Sequence, residues 1–258
     1  MIQNEMPGKR PCASISFDDG FYSVLKNAYP LLKKEKLPFA VFASKTAVTL
    51  NQLWVSNIEL NKTDRKYMEK IYEYSLAGKV DFGHYISDPV SSLRDHSVFD
   101  EGFRDVCLTG PPREKLYMDE NDLNFLAEEG VLMGSHTCDH YVMSRCEQAE
   151  AERQISGNKA YLERLFGTEI KHFAFPFGKK QHYTEDVVRQ VFAAGHKSVY
   201  TTSIANFTAG DSQRQNFLFP RIPLHNFTAD RIMLYINRTF AGNMPLLKKL
   251  KPLVSGKR

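Results

Sequence analysis

The chain has 258 residues, 42% of them hydrophobic and 12% aromatic, enough apolar surface for a substantial core, which excludes a disordered or fibrous chain. Lysine and arginine number 34 against 30 acidic residues, and a net charge of +4 is too mild for a dedicated nucleic-acid binder. No apolar run approaches the ~20 residues that a bilayer span needs. Met1–Pro11 lacks the apolar stretch of a secretory signal, so the expected setting is the cytoplasm. At about 150 residues per domain the length allows one or two domains, and single barrels commonly reach it. Cys12, Cys107, Cys138 and Cys146 form no CxxC pair and read as reduced thiols packed as small hydrophobes.

Short apolar runs alternate with amphipathic segments along the chain. Residues 12–17 (CASISF) read as a strand running into Asp18-Asp19-Gly20. Phe21–Lys36 reads as a helix, with Pro30 expected to kink or split it. Residues 38–44 form a second buried strand. Asp119 caps a helix that stops at Gly130, and residues 131–135 follow as a strand. A helix from about Glu147 to Phe166 closes at Gly167. Residues 172–177 (HFAFPF) read as a strand with Phe173, Phe175 and Phe177 on one face. A helix over 184–194, strands over 197–202 and 219–224, and a helix over 228–240 complete the pattern.

Strand then helix, repeated, predicts an α/β fold with a parallel sheet and helical crossovers, either open or closed into a barrel. Residues 45–118 break the rhythm with a helix near 63–77 and a polar, irregular stretch over 84–112. Such a span is too long for an ordinary connection and reads as an insertion over one end of the sheet. It holds Trp54, His84, Tyr85, His96 and several arginines as candidates for contact with a ligand.

Asp18 and Asp19, His136, Pro176-Phe177 and His225 each fall directly after an expected strand. In a parallel sheet those ends share one face, where active sites are built. His136 and His140, at i and i+4, would project together from one helical turn toward a single metal ion. Isolated HxxxH pairs are common and say little alone. An acid pair at another strand end changes the weight, because one carboxylate and two imidazoles leave coordination positions open for water and substrate. Of two adjacent acids, one can bind the ion while the other takes a proton. Asp-Asp-Gly is also good turn chemistry. His225 is a candidate general acid on the far side of the pocket.

SISFDDG (14–20), GSHTCDH (134–140), FAFPFG (173–178) and LH (224–225) resemble, in order, the first, second, third and fifth motifs of the polysaccharide deacetylases of the NodB-homology type, carbohydrate esterase family 4. The resemblance implies a distorted (β/α)7 barrel, TIM-barrel-like, holding one divalent ion, most often zinc, with cobalt, nickel or manganese as alternatives. It implies Asp19, His136 and His140 as ligands and Asp18 as base. The backbone N–H of Phe177 would steady the oxyanion, and His225 would protonate the departing amine. Pro176, Phe177 and Leu224 would contact substrate, the last two walling in the acetyl methyl. The activity implied is removal of N-acetyl groups from an acetylated amino sugar.

Two positions depart from the family pattern. Ala174 stands where the third motif usually carries an arginine that pairs with the catalytic acid, and no fourth motif is recognisable in 198–215. Arg221, placed by strand alternation on the face of His225, is a candidate to orient the acid in its stead; a surface salt bridge is the alternative reading.

Without an export signal, a lipid-linked or nucleotide-linked saccharide of surface-polysaccharide (O-antigen-like) biosynthesis is the expected substrate, handled at the inner face of the membrane. The basic tail, residues 248–258, offers a peripheral contact with anionic lipid or is a solvated end. The sequence assigns no oligomeric state. Rival readings are a non-catalytic metal- and glycan-binding relative, an O-acetyl esterase, and a 2-His-1-carboxylate iron oxygenase, whose ligand spacing differs.

Overall fold

A computed structural model describes residues 13–76, 88–109, 114–203 and 217–224. Its centre is a parallel sheet of six strands in chain order, curled into a half-barrel: β1 (Ile15–Phe17), β2 (Phe39–Ala43), β3 (Leu132–Ser135), β4 (His172–Ala174), β5 (Ser198–Thr201) and β6 (Leu218–Pro220). Each strand pairs only with its chain neighbours, so right-handed helical crossovers can wrap one outer face. This is the distorted (β/α) barrel that the resemblance implies. A seventh strand is not among the described residues.

Side-chain alternation sorts the two faces of β2, all of which is buried. Phe39, Val41 and Ala43 pack outward with Leu123, Leu126 and Leu162 of the helices. Ala40 and Phe42 point inward and meet Ala174, Leu132 and Tyr200. A strand buried on both faces needs apolar residues at every position, which is why FAVFA shows no alternation of its own. Gly134 is required here, since a Cβ would come within 2.4 Å of the Phe42 ring.

Helices follow as expected around this sheet. Val24–Ala28 is a π-turn running into α1 (Tyr29–Lys34), the irregularity that Pro30 introduces. Downstream of the insertion, α7 (Glu120–Glu128) carries a capping box between Asp119 and Asp122. The long α8 (Gln148–Phe166) ends at Gly167 in the left-handed region, and α9 (Glu185–Ala193) starts from the Thr184 hydroxyl.

The stretch expected to be irregular over 84–112 contains two helices. The insertion comprises α2 (Lys45–Leu50), α3 (Trp54–Asn61), α4 (Arg65–Leu76), α5 (Pro89–His96) and α6 (Glu101–Cys107) among its described residues. Asp88 and Asp100 cap α5 and α6 by accepting from the N–H groups of Ser91 and Phe103. These helices close a second core of Trp54, Ile58, Ile71, Leu93, Phe99 and Phe103, which also buries Tyr141 and Val142. The insertion therefore stands on the chain that leaves β3. Its expected ligand-contacting Trp54 is a core residue, 1% exposed. His84 and Tyr85 lie outside the described residues, as do the expected helix over 228–240 and the tail.

Two strands are shorter than their patterns suggest. β4 ends at Ala174, with one further bond from the Phe175 N–H to the Tyr200 carbonyl at 3.1 Å; Phe173 and Phe175 enter one core while Phe177 turns away toward Trp54. β6 is three residues, Leu218–Pro220, with one further bond to β5 from the Arg221 N–H.

Candidate metal centre

Asp18 and Asp19 leave the carboxyl end of β1. Asp19 takes φ 69°, a left-handed conformation uncommon outside glycine that Asp tolerates better than most side chains. His136 follows β3 and extends its ladder by one bond, its N–H donating to the Ala43 carbonyl at 3.1 Å. Thr137 and His140 also have positive φ, 67° and 57°. The HxxxH segment is thus a tight turn and not the helical turn expected from its spacing. Phe177, at φ 58° after β4, completes the group. Of six such residues among those described, four stand here, and strain of this kind collects where side-chain direction matters.

A dense polar mesh holds the turn. The Thr137 hydroxyl accepts from the His140 N–H at 3.0 Å, and the Ser44 hydroxyl donates to the His136 carbonyl at 2.8 Å. Trp54 Nε1 donates to the His140 carbonyl at 2.9 Å, tying the insertion to the turn. Asp139, buried between the two histidines, accepts from Arg153 Nη2 at 2.6 Å, from Gln154 Nε2 at 2.7 Å and from the Thr46 hydroxyl. Asn158 bonds the Ala43 carbonyl, the Ser135 hydroxyl and the Lys45 N–H. Sequence reasoning missed this mesh. Its signal was present: Gln154 and Asn158 interrupt the apolar stripe of α8 one turn apart.

Asp19 Oδ1 lies 3.3 Å from His136 Nε2 and 3.2 Å from His140 Nε2. The three donor atoms fall within 4.8 Å of one another. Tetrahedral ligands at about 2.0–2.2 Å from zinc stand roughly 3.3–3.5 Å apart, so these spacings suit an ion of that size. His136 Nδ1 sits 2.8 Å from the Ala174 carbonyl. A carbonyl only accepts, so Nδ1 carries the hydrogen and the lone pair of Nε2 faces Asp19, the outer-shell arrangement of a ligating histidine. Asp19 Oδ1 is buried and has no hydrogen-bond partner, an orphan that a cation would satisfy. Burial alone would raise the Asp19 carboxyl, but the His140 and His136 imidazoles beside it hold it well below the usual carboxylate range. Burial likewise opposes charge on His136, yet Asp18 and Asp19 outweigh it and raise its pKa. The residues fit one divalent ion.

Asp18 sits at the edge of this group, Oδ2 4.0 Å from His136 Nε2. Arg221 grips it with two parallel bonds, Nη1 to Oδ1 and Nη2 to Oδ2, each 2.7 Å. The Phe177 ring packs against His140 at 4.9 Å and His182 at 5.4 Å, with the Arg94 guanidinium 5.7 Å above it. Pro176 is buried, and Leu224 is 55% exposed. His225 lies outside the described residues. Cys138, within the turn, is buried, and burial pushes its thiol up to about 12, an inert bystander.

A family model described as polysaccharide deacetylase matches residues 5–199, a span containing Asp18, Asp19, His136, His140 and Phe177. No curated protein matches the chain. Solved structures share the fold at low identity. The Streptococcus pyogenes deacetylase PplD, in complex with acetate, is 14% identical with a TM-score of 0.57 over 91% of this chain and 74% of its own. A de-N-acetylase from Aggregatibacter actinomycetemcomitans is 12% identical, TM-score 0.54, over 86% of this chain and 74% of that one. IcaB from Ammonifex degensii is 16% identical, TM-score 0.51, over 86% and 72%. With the family model spanning most of the sequence and the barrel shared by deacetylases of several organisms, the chain belongs to the polysaccharide deacetylases of the NodB-homology type, carbohydrate esterase family 4.

Proposed function

We propose that this chain is a metal-dependent hydrolase that removes N-acetyl groups from an acetylated amino sugar carried in a polysaccharide or on a lipid or nucleotide. The observation that carries this is the convergence of Asp19, His136 and His140 on one buried point at the strand ends, with a second carboxylate, Asp18, beside it. A divalent ion held by those three side chains supplies Lewis-acid polarisation of an acyl oxygen and eases ionisation of water. Asp18 stands where it can accept the proton of the water that attacks the acyl carbon. Phe177, in the left-handed region with its ring against His140, offers its backbone N–H to the oxyanion and with Leu224 walls in the acetyl methyl, Pro176 contacting substrate beside them. His225, by its motif, protonates the leaving amine, without which an amide does not expel nitrogen.

Purified protein loaded with zinc, cobalt, nickel or manganese tests this on a panel of polymeric, lipid-linked and nucleotide-linked N-acetyl amino sugars. Acetate and free amine should appear in equal amounts. Chelation should abolish turnover and added metal restore it. Asp18→Asn and His225→Ala should each lose on the order of 10²–10⁴-fold in kcat while still binding zinc. Retained metal with no acetate from any N-acetyl sugar would make the chain a binding relative, and release from O-acetyl esters alone would make it an esterase.

A further inference from the structure

We infer that Arg221 is a positioning residue that fixes the orientation of the Asp18 carboxylate from inside the half-barrel. This rests on the assignment of Asp18 as the proton acceptor. Four independent contacts fix the guanidinium. Nη1 donates to Oδ1 and Nη2 to Oδ2 of Asp18, each at 2.7 Å, an end-on fork that sets the plane of the carboxylate as well as its place. Nη1 also donates to the Ser16 hydroxyl at 3.1 Å, which alternation along β1 turns into the barrel. The guanidinium lies 5.2 Å from the Phe42 ring centre and 5.9 Å from that of Tyr200, the two interior aromatics of β2 and β5. The Arg221 N–H donates to the Thr201 carbonyl at 2.9 Å, extending the β5–β6 ladder one residue past Pro220.

Small side chains make the room. Ala40 and Ala174 share the interior with Phe42 and Tyr200, so β2 and β4 leave space beside those rings. The Arg221 side chain is only 16% exposed there, against 29% for Asp18. An exposed salt bridge would wander with its side chains and fix little. This one is stacked, bidentate and half-enclosed, so the arginine cannot follow Asp18 if Asp18 rotates. Arg221 touches no reacting atom and acts through Asp18 alone.

The experiment is the crystal structure and steady-state kinetics of Arg221→Ala and Arg221→Lys, with zinc binding measured by calorimetry on the metal-free proteins. In Arg221→Ala the Asp18 carboxylate should leave its position by about 1 Å or more while Asp19, His136 and His140 stay, a displacement that costs on the order of 10²-fold in kcat. KM should move less than about threefold, since a residue acting only through the base leaves ground-state binding alone. Zinc affinity should be kept. Arg221→Lys keeps the charge but not the fork, so its kcat should remain roughly tenfold or more below wild type; it carries the test should the alanine variant fail to fold. An unmoved Asp18, full kcat in either variant, or lost zinc affinity would overturn the inference. If wild-type protein releases no acetate, the deacetylase assignment fails, and the position of Asp18 in the variant crystals still decides the role of Arg221.

Discussion

Asp139 has no place in the chemistry proposed above, yet it should be among the residues on which the metal centre most depends. Its side chain is 2% exposed and both oxygens are used, one by the Thr46 hydroxyl, the other by Arg153 and Gln154. Asp139→Ala takes an acceptor from all three donors and leaves the Thr46 hydroxyl without its partner. Breaking a fully buried ion pair costs about 3–5 kcal/mol, but Arg153 is one-third exposed and keeps Glu150, so its share is discounted. Gln154 also keeps Glu150, at 2.9 Å. Thr46 loses a bond to a carboxylate outright, at about 1.5 kcal/mol, and Gln154 and Arg153, which both retain Glu150, lose under about 1 kcal/mol each, for a total of roughly 3 kcal/mol. For a chain of this size that is a Tm drop of about 6–12 °C. It should be read in chelator, because bound metal would itself raise Tm.

The same cut should loosen the metal site. Thr137 and His140 are held at positive φ by tertiary bonds, and Asp139 lies between them. Removing it frees the turn to relax toward common backbone angles, separating His136 from His140. Zinc affinity should fall about 10–100-fold, as for other lost outer-shell contacts. Calorimetry on metal-free Asp139→Ala decides. A lower Tm with unchanged zinc affinity would show that the mesh supports the fold and not the ligands, and an unchanged Tm would refute the ledger itself.

Trp54→Phe keeps the aromatic packing on Phe99 and Phe103 but deletes the bond to the His140 carbonyl, so urea unfolding should show a loss of about 1–2 kcal/mol. Trp54→Ala should cost about 3–5 kcal/mol, and a Trp54→Phe variant as stable as wild type would deny the bond any part. Burial, with Lys171, lowers the His172 imidazole to about 4, and burial, with Lys159, lowers His196 to about 3. An unfolded histidine titrates near 6.5, so below that pH the unfolded chain binds protons that the folded one refuses. The stability this neutrality represents is intact above about pH 6.5 and lost progressively as pH falls toward the folded values. At pH 5 each group should destabilise by about 2 kcal/mol. Urea midpoints of wild type and His196→Leu between pH 7.5 and 5, taken in chelator, should diverge in slope; parallel lines would exclude His196 from the acid response.

What the sequence disclosed and what it hid divide along a physical line. A residue at the end of a parallel strand goes to the carboxyl face whatever its neighbours are, so Asp18, Asp19 and His136 could be placed from strand pattern alone. Conformations imposed by tertiary contact could not. HxxxH spacing favours a helical turn, and only bonds from α8, Ser44 and Trp54 hold Thr137 and His140 in the left-handed region. In the insertion, Asp88 and Asp100 cap two helices within the stretch expected to be irregular, because each helix is short and polar enough that periodicity did not rise above its surroundings. Gly102, a poor helix former, sits in α6 because a Cβ there would strike the Tyr74 hydroxyl, a reason visible only once α4 and α6 are packed.

Arg221 shows the two kinds of information meeting. Alternation along a strand through Leu224 pointed it toward the acid, and although β6 itself ends at Pro220, one further ladder bond carries that alternation to Arg221. What places the side chain is the bond from its own N–H to Thr201 and the slot between Phe42 and Tyr200. Ala174 packs with Phe42 and Tyr200 in that interior, and a small residue there keeps the space beside the rings open. A small residue on β4 and an arginine beyond β6 are therefore one feature, and neither substitution is neutral without the other. An arginine introduced at 174 alone would bring a second guanidinium into the space Arg221 fills, where like charges a few ångströms apart repel and one must leave the carboxylate.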